Sequence, residues 1–300
     1  MAILVAGASG FLGRRLVERL SVGGYEVLAF ARRQVPDEFR TLPGVRWLTR
    51  DIARDGVDLA ELPQHIDTVL HLAGATLGAG KDESMFLSAN EQTTVRLCQA
   101  LADRTEHFIF ASSQVVYGNP CHLAVSEDFP LRPDSSAYAC SKLNSENWLR
   151  WFHKRYGGQY LSLRLCGFIE GGGIVDYLID RGLSGEIIEL FANGTVRRDY
   201  LHVEKAIDVM VSALNYKGSR DFLPVNIGSG QAISAQELAT LVCSELQSPS
   251  LIHLLDSPSP QGDFVFNIDL ASRLFDFRPG SLAEAVRSYT RLRKDKLRRG

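Results

Sequence analysis

Short apolar runs separated by amphipathic stretches fill the first half of the chain. AILVAG, EVLAFA, VRWLTR, TVLHLAG, HFIFASS and YLSLRLCG are each six to eight residues long and rich in Val, Ile, Leu and Phe. Runs of that length and composition, bounded by turn residues, predict buried strands. Between several of them lie FLGRRLVERLSV, SANEQTTVRLCQALADR and AYACSKLNSENWLRWFHKRY, whose apolar positions recur at helical spacing. Strand and helix in alternation predict an α/β fold, a doubly wound parallel sheet covered on both faces. The pattern loosens after about Arg164. Gly171 to Gly173, the turn FANG and the Ser/Pro cluster DSPSPQGD predict a smaller, less regular C-terminal lobe. The expected division is a first domain over 1–165 that also receives 198–225, and a second lobe over 166–197 and 226–300.

Composition changes this picture little. At 300 residues, 45% apolar and 23% charged, the chain is an ordinary globular protein, and a net charge of −2 gives no electrostatic reason to expect nucleic acid. The basic run RLRKDKLRRG at the C-terminus reads as a solvated last helix. Cys98, Cys121, Cys140, Cys166 and Cys243 form no CxxC pair and no short metal-ligand spacing, so neither a disulfide framework nor a metal site is expected. The first residues enter a strand without a basic leader, and no apolar run reaches the ~18 residues of a membrane span. A cytoplasmic protein is the expectation.

The chemistry starts at the end of the first strand. Gly7, Gly10 and Gly13 fall where a buried strand gives way to a helix, the place where a dinucleotide pyrophosphate needs close backbone approach and a helix N-terminus. A tight strand-to-helix turn is the competing explanation. The second strand ends in Phe30, Ala31, Arg32 and Arg33, with no acid to accept hydrogen bonds from the adenosine ribose of NAD. A guanidinium there can pair with the 2′-phosphate of NADP, which makes NADP the expected cofactor and NAD the alternative. Asp51 and Ile52, after the third strand, can bracket the adenine, or Asp51 can cap a helix.

Tyr138 and Lys142 stand one helical turn apart, so their side chains share a face. A phenol near pKa ~10 is a poor base at neutral pH, but a neighbouring ammonium and a nicotinamide cation both favour its phenolate. Ser113, at the end of HFIFASS, can hydrogen-bond a substrate oxygen where charge develops.

GASGFLG and YACSK, together with DIARD, HLAGA, SSQVVYG, RRDYLHVEKA, NIGSG and FDFRP, follow one another in an order and spacing that resemble the NAD-dependent epimerase/dehydratase family. That family is part of the extended short-chain dehydrogenase/reductases and acts largely on nucleotide sugars. The resemblance implies a Rossmann-type first domain, a substrate-binding lobe and commonly a homodimer. It implies catalytic roles for Ser113, Tyr138 and Lys142, and a cofactor lying along Gly7, Gly10, Phe11, Leu12, Gly13, Arg32, Arg33, Asp51, Ile52, Leu72 and Ala73. It also implies a nucleotide-diphosphate contact for Arg198.

Three departures narrow the chemistry. Where sugar 4,6-dehydratases place acidic residues after the strand-end serine or threonine, this chain has Gln114 and Val115, which disfavours dehydration. Gly167 stands where the family usually has an asparagine near the substrate, and QGD lacks the arginine that often precedes it. A ketoreductase that reduces a keto-sugar nucleotide is the leading expectation. A nucleotide-sugar epimerase with bound NAD, an enzyme acting on a non-sugar ketone, and a silent nucleotide-sensing protein are the alternatives. His71 and His202 read as satisfied structural histidines. Trp148, Trp151, Phe152 and Tyr156 make the helix after YACSK broadly apolar, which suggests core packing or a dimer seam.

Overall fold

The computed structural model describes residues 1–76, 83–259 and 261–299. A seven-stranded sheet runs in the order Phe222–Ile227, Gln159–Leu165, His107–Ser113, Thr68–His71, Ala2–Ala6, Glu26–Ala31 and Val45–Thr49. From Val45–Thr49 across to Gln159–Leu165 every neighbouring pair is parallel. Winding starts at Ala2–Ala6 and proceeds first one way and then the other. The point where strand order reverses therefore lies between Ala2–Ala6 and Thr68–His71, and the crevice beyond their carboxyl ends is where such sheets bind ligands.

The apolar runs form this sheet because both faces are covered. Leu4, Phe30, Leu97, Phe108, Phe110, Leu149, Phe152 and Tyr160 belong to one buried cluster that joins strands to helices. Phe11–Val22 and Ala137–Tyr156 are the helices expected from the pattern. The long helix starts where the Ser136 side chain accepts from Ala139 N at 3.1 Å and stops at Gly157, which has a φ of 75°.

Two expectations are corrected. SANEQTTVRLCQALADR is not one regular helix: Ser84–Phe86 leads into a π-helical stretch, Leu87–Gln92, and only Thr93–Leu101 is α-helical. The C-terminal part is not loosely structured either. Helices Ile174–Ser184, Ala235–Leu246 and Leu282–Arg299 pack around Ile179, Leu238, Val242 and Val286. The strands there span two to four residues, too short to register as apolar runs.

The chain divides into two compact units, 1–118 with 131–165 and 207–225, and 119–130 with 166–206 and 226–300. Residues 119–130 and 198–206, which the sequence pattern assigns to the first unit, group with the second. The reason is strand pairing. His122–Val125 and Arg197–Arg198 join Phe264–Phe266 and Ile233–Ser234 in a four-stranded sheet, and Tyr200–Leu201 pairs with Gly167–Phe168. None of the described helices is long and apolar enough to cross a membrane.

Candidate active site

The first unit carries a cleft at the strand-order reversal, lined among others by Gly7, Gly10, Arg32, Asp51, Ala73 and Ser88. Its floor depends on missing side chains. Gly7 has a φ of 86°, and a Cβ there would sit 2.5 Å from Ala73 N, so only glycine lets the first turn lie against the loop after Thr68–His71. A Cβ on Gly13 would overlap the Gly7 carbonyl and the Ala8 backbone, so this glycine lets the helix pack onto the turn. Helix Phe11–Val22 begins at Gly10, which lines the cleft, with no side-chain cap on its N-terminal dipole; Phe11, Leu12 and Gly13 form its first turn and are not part of the lining. A glycine cradle, an uncapped helix start and a cleft at the strand-order reversal together fit a dinucleotide pyrophosphate.

Around the rest of the cleft the assigned residues separate. Leu72 and Ala73 line its wall and Arg32 its rim. Arg33 is exposed and is not part of the lining. The Asp51 carboxylate accepts from Arg54 N at 3.3 Å, capping Ile52–Asp55, and the residue lines the cleft beside the buried Ile52. Arg50 is a second guanidinium in the lining that sequence reading passed over, but it is tied to Glu61 at 2.9 Å. Arg32 has no ion-pair partner among the described residues.

Ser113, Tyr138 and Lys142 converge in the same unit. The Ser113 hydroxyl is close enough to the Tyr138 phenol to favour its ionised form. Lys142 is buried, its Nζ donating to Ala111 O at 2.7 Å and lying 4.7 Å from the Phe110 ring centroid. Burial lowers the ammonium to a pKa of about 8, against the opposing pull of Glu146. The phenol departs from expectation. Burial raises Tyr138, the Ser113 hydroxyl only partly offsets this, and Lys142, 6.0 Å from the ring centroid, does not bring it down. In this state Tyr138 is a neutral proton donor.

Sequence reading missed the group that holds this set together. Asn90, buried in the π-helical stretch, accepts from Ala75 N at 2.7 Å and donates to Ser141 Oγ at 2.7 Å, while Ser141 donates to Tyr138 O at 2.8 Å. One amide thus ties the loop after HLAG to the helix that carries Tyr138. An asparagine inside a helical pattern carries no periodicity signal, so nothing in the sequence marked it. Glu146 and Arg164 were missed for the same reason. They form a fully buried pair with Nη2 2.8 Å from Oε2.

In the second unit Arg198 is part-buried, donates to Gly262 O at 2.9 Å and lies 5.1 Å from the Phe264 ring centroid. Gly167 lies under Tyr200, where a Cβ would come within 3.3 Å of the ring. His202 is 3.1 Å from Glu170. Trp148 and Trp151 are 41% and 51% exposed, so core packing accounts for Phe152 but not for the tryptophans.

The doubly wound sheet, the glycine cradle and the serine, tyrosine and lysine beside it define an enzyme of the short-chain dehydrogenase/reductase type. More narrowly, residues 3–228 match the NAD dependent epimerase/dehydratase family, and the chain belongs to it. The chain is 29% identical to a dTDP-4-dehydro-6-deoxy-D-allose reductase from a Streptomyces species, with 96% of this chain and 95% of that protein covered. It is 26% identical to a putative UDP-glucose 4-epimerase of Methanocaldococcus jannaschii, with 81% and 82% covered. Among solved structures, UDP-glucuronic acid 4-epimerase from Bacillus cereus, in complex with UDP-glucuronic acid and NAD, matches with a TM-score of 0.85. That match is at 26% identity over 97% of this chain and 99% of the other.

Proposed function

We propose that this enzyme is a ketoreductase that reduces the carbonyl of a nucleotide-linked keto-sugar with NADPH. The observation that carries the reading is Arg32, a guanidinium lining the cleft with no carboxylate paired to it among the described residues, at a strand end that lacks an acid. A 2′-phosphate is the group such a position complements. Relatives that reduce dTDP-linked keto-sugars support the substrate class.

A dinucleotide held by the glycine cradle would supply the hydride. The residues of this chain supply the rest. Ser113 donates a hydrogen bond to the carbonyl oxygen and polarises it. The Tyr138 phenol, neutral before reaction, gives its proton to that oxygen as charge develops there. Lys142, held at Ala111 O, keeps a positive charge next to the phenolate that is left. Gly7, Gly10, Gly13 and the N-terminus of Phe11–Val22 hold the pyrophosphate, with Leu72 and Ala73 along its wall. Arg198 is the candidate for the nucleotide diphosphate, since its fork has donors beyond the one given to Gly262. We assign the exposed tryptophans Trp148 and Trp151 to a homodimer seam, which a monomeric mass at micromolar concentration would refute. Five free cysteines favour a reducing, cytoplasmic location.

Epimerisation with bound NAD is the second reading, favoured by the similarity to the Bacillus cereus epimerase, which binds NAD. Incubation with a panel of nucleotide-linked sugars and keto-sugars separates the two. Stoichiometric loss of NADPH absorbance, abolished in Tyr138→Phe, is the expected result. Inversion of a sugar hydroxyl with no net change in cofactor overturns the reductase, and NADPH binding with no turnover of any panel member leaves the sensor.

A further inference from the structure

We propose that Glu146 and Arg164 are positioning residues for the proton-transfer site: their buried ion pair locks the helix bearing Tyr138 and Lys142 to the strand bearing Ser113, and places a fixed negative charge beside Lys142. The proposal rests on the reading that Ser113, Tyr138 and Lys142 carry the proton chemistry.

The carboxylate of Glu146 is completely buried and fully used. Oε1 accepts from Ser112 Oγ at 2.6 Å, Ser162 Oγ at 2.9 Å and Arg164 Nε at 3.1 Å, and Oε2 accepts from Arg164 Nη2 at 2.8 Å. Arg164 Nη1 continues to the Tyr117 hydroxyl at 2.7 Å. One side chain of helix Ala137–Tyr156 therefore grips the adjacent strands His107–Ser113 and Gln159–Leu165 together. Stability alone does not account for it, because well-packed apolar side chains of the same volume serve a core as well as a desolvated ion pair. What the pair fixes is geometry. Ser112 lies between Ala111, whose carbonyl receives Lys142 Nζ, and Ser113, whose hydroxyl acts on the Tyr138 phenol. Holding Ser112 to Glu146 sets the height of the helix on the strand, and with it both of those contacts.

The charge acts on Lys142 as well. Glu146 is one turn beyond Lys142 on the same face. The other groups around Lys142 are Tyr138 on its own helix, His71 from Thr68–His71, which is neutral, the Phe110 ring and Ala111 carbonyl from the next strand, and the Gly74 backbone. Arg164 stands behind Glu146. Only Glu146 in this set is an anion, and its charge favours the protonated lysine against burial.

The test uses the full chain in two variants. Glu146→Gln keeps the shape but removes the charge and leaves one Arg164 N–H without its acceptor, and Glu146→Leu/Arg164→Met replaces the pair with apolar volume. In Glu146→Gln the titration of Lys142, followed by its carbon-13 side-chain resonance and assigned by its loss in Lys142→Arg, is expected to move down by about one pH unit. The alkaline limb of turnover should move with it. In the double variant kcat is expected to fall roughly tenfold or more with KM unchanged, since misplacement of reacting groups is felt in kcat. A folded double variant with the kcat of the parent overturns the positioning role, and an unmoved Lys142 titration overturns the charge. If the parent protein turns over no substrate at all, the function reading fails while the lysine resonance still decides the electrostatic half.

Discussion

His71 offers a sharp test of the electrostatics behind the site. It ends the strand Thr68–His71, fully buried against Phe110 with ring centroids 5.0 Å apart. Its Nε2 is 2.8 Å from Thr94 Oγ1, and that hydroxyl gives its own proton to Asn90 O at 2.8 Å. Thr94 must therefore accept from His71, so Nε2 carries the hydrogen and Nδ1 is a bare lone pair with no donor. Protonating Nδ1 would place a cation in an apolar pocket facing Lys142. Burial, then Lys142, lowers the pKa of the imidazole from 6.5 to about 3. The unfolded chain thus binds a proton on this ring over that range while the folded chain does not. The stability due to the neutral ring is present in full above pH ~6.5 and is lost as pH falls towards the folded value. Between pH 7 and pH 5 the loss is about 2 kcal/mol, from ~1.4 kcal/mol for each unit over which the two states differ. His107, lowered to about 4, acts in the same direction but is unchanged when only His71 is replaced. Urea unfolding followed by tryptophan fluorescence is the assay, since Trp47, Trp148 and Trp151 all lie in the first unit. Wild type should lose about 2 kcal/mol more than His71→Gln on going from pH 7 to pH 5. Parallel losses in the two proteins would show that the buried ring takes its proton without cost, and the reasoning would fail.

Four other outcomes follow from particular positions. Gly7→Ala adds a Cβ against the Ala73 backbone at a φ of 86° and should abolish NADPH binding in a fluorescence titration. Gly24→Ala, at a φ of 75° with open space around it, should cost about 1 kcal/mol and leave binding intact. Arg32→Ala should weaken NADPH roughly tenfold and leave NADH unaffected, and equal weakening of both would remove the basis for an NADP preference. Ser234 and Glu237 form a capping box on Ala235–Leu246, so Ser234→Ala should lower the stability of the second unit by about 1 kcal/mol in thermal unfolding followed by circular dichroism.

What the sequence made legible has a common physical character. Strands such as Glu26–Ala31 and His107–Ser113 are apolar on both faces because helices cover both, and such runs stand out in any window. Gly7 and Gly13 were readable because their side chains are excluded by backbone, a constraint that only glycine satisfies. The helix Ala137–Tyr156 was legible over its full length, yet its opening half buries Tyr138, Ser141, Lys142, Ser145 and Glu146. A polar buried face looks like a solvated one to any hydrophobicity pattern. Asn90, Ser112 and Arg164 stayed hidden for that reason, since what defines them is partners brought from distant segments. Arg33 illustrates the converse: adjacent to Arg32 in sequence, it lies outside the cleft, in the bend that follows the end of Glu26–Ala31.

The π-helical stretch Leu87–Gln92 makes part of the site depend on a count of residues as well as on the identity of Asn90. A wide turn of this kind contains one residue more than the α-helical path between the same ends. On its N-terminal side Phe86 packs on the Tyr138 ring at 5.6 Å between centroids, and on its C-terminal side Thr94 and Leu97 are seated in the core. Removing any one residue from the stretch would let the helix close into regular turns and rotate the two ends against each other by about 100°. Phe86 and Thr94 could then not both keep their places. An enzyme with every active-site residue present would be disabled by the loss of one that touches nothing in the reaction, an insertion-deletion sensitivity invisible to any scan of single substitutions.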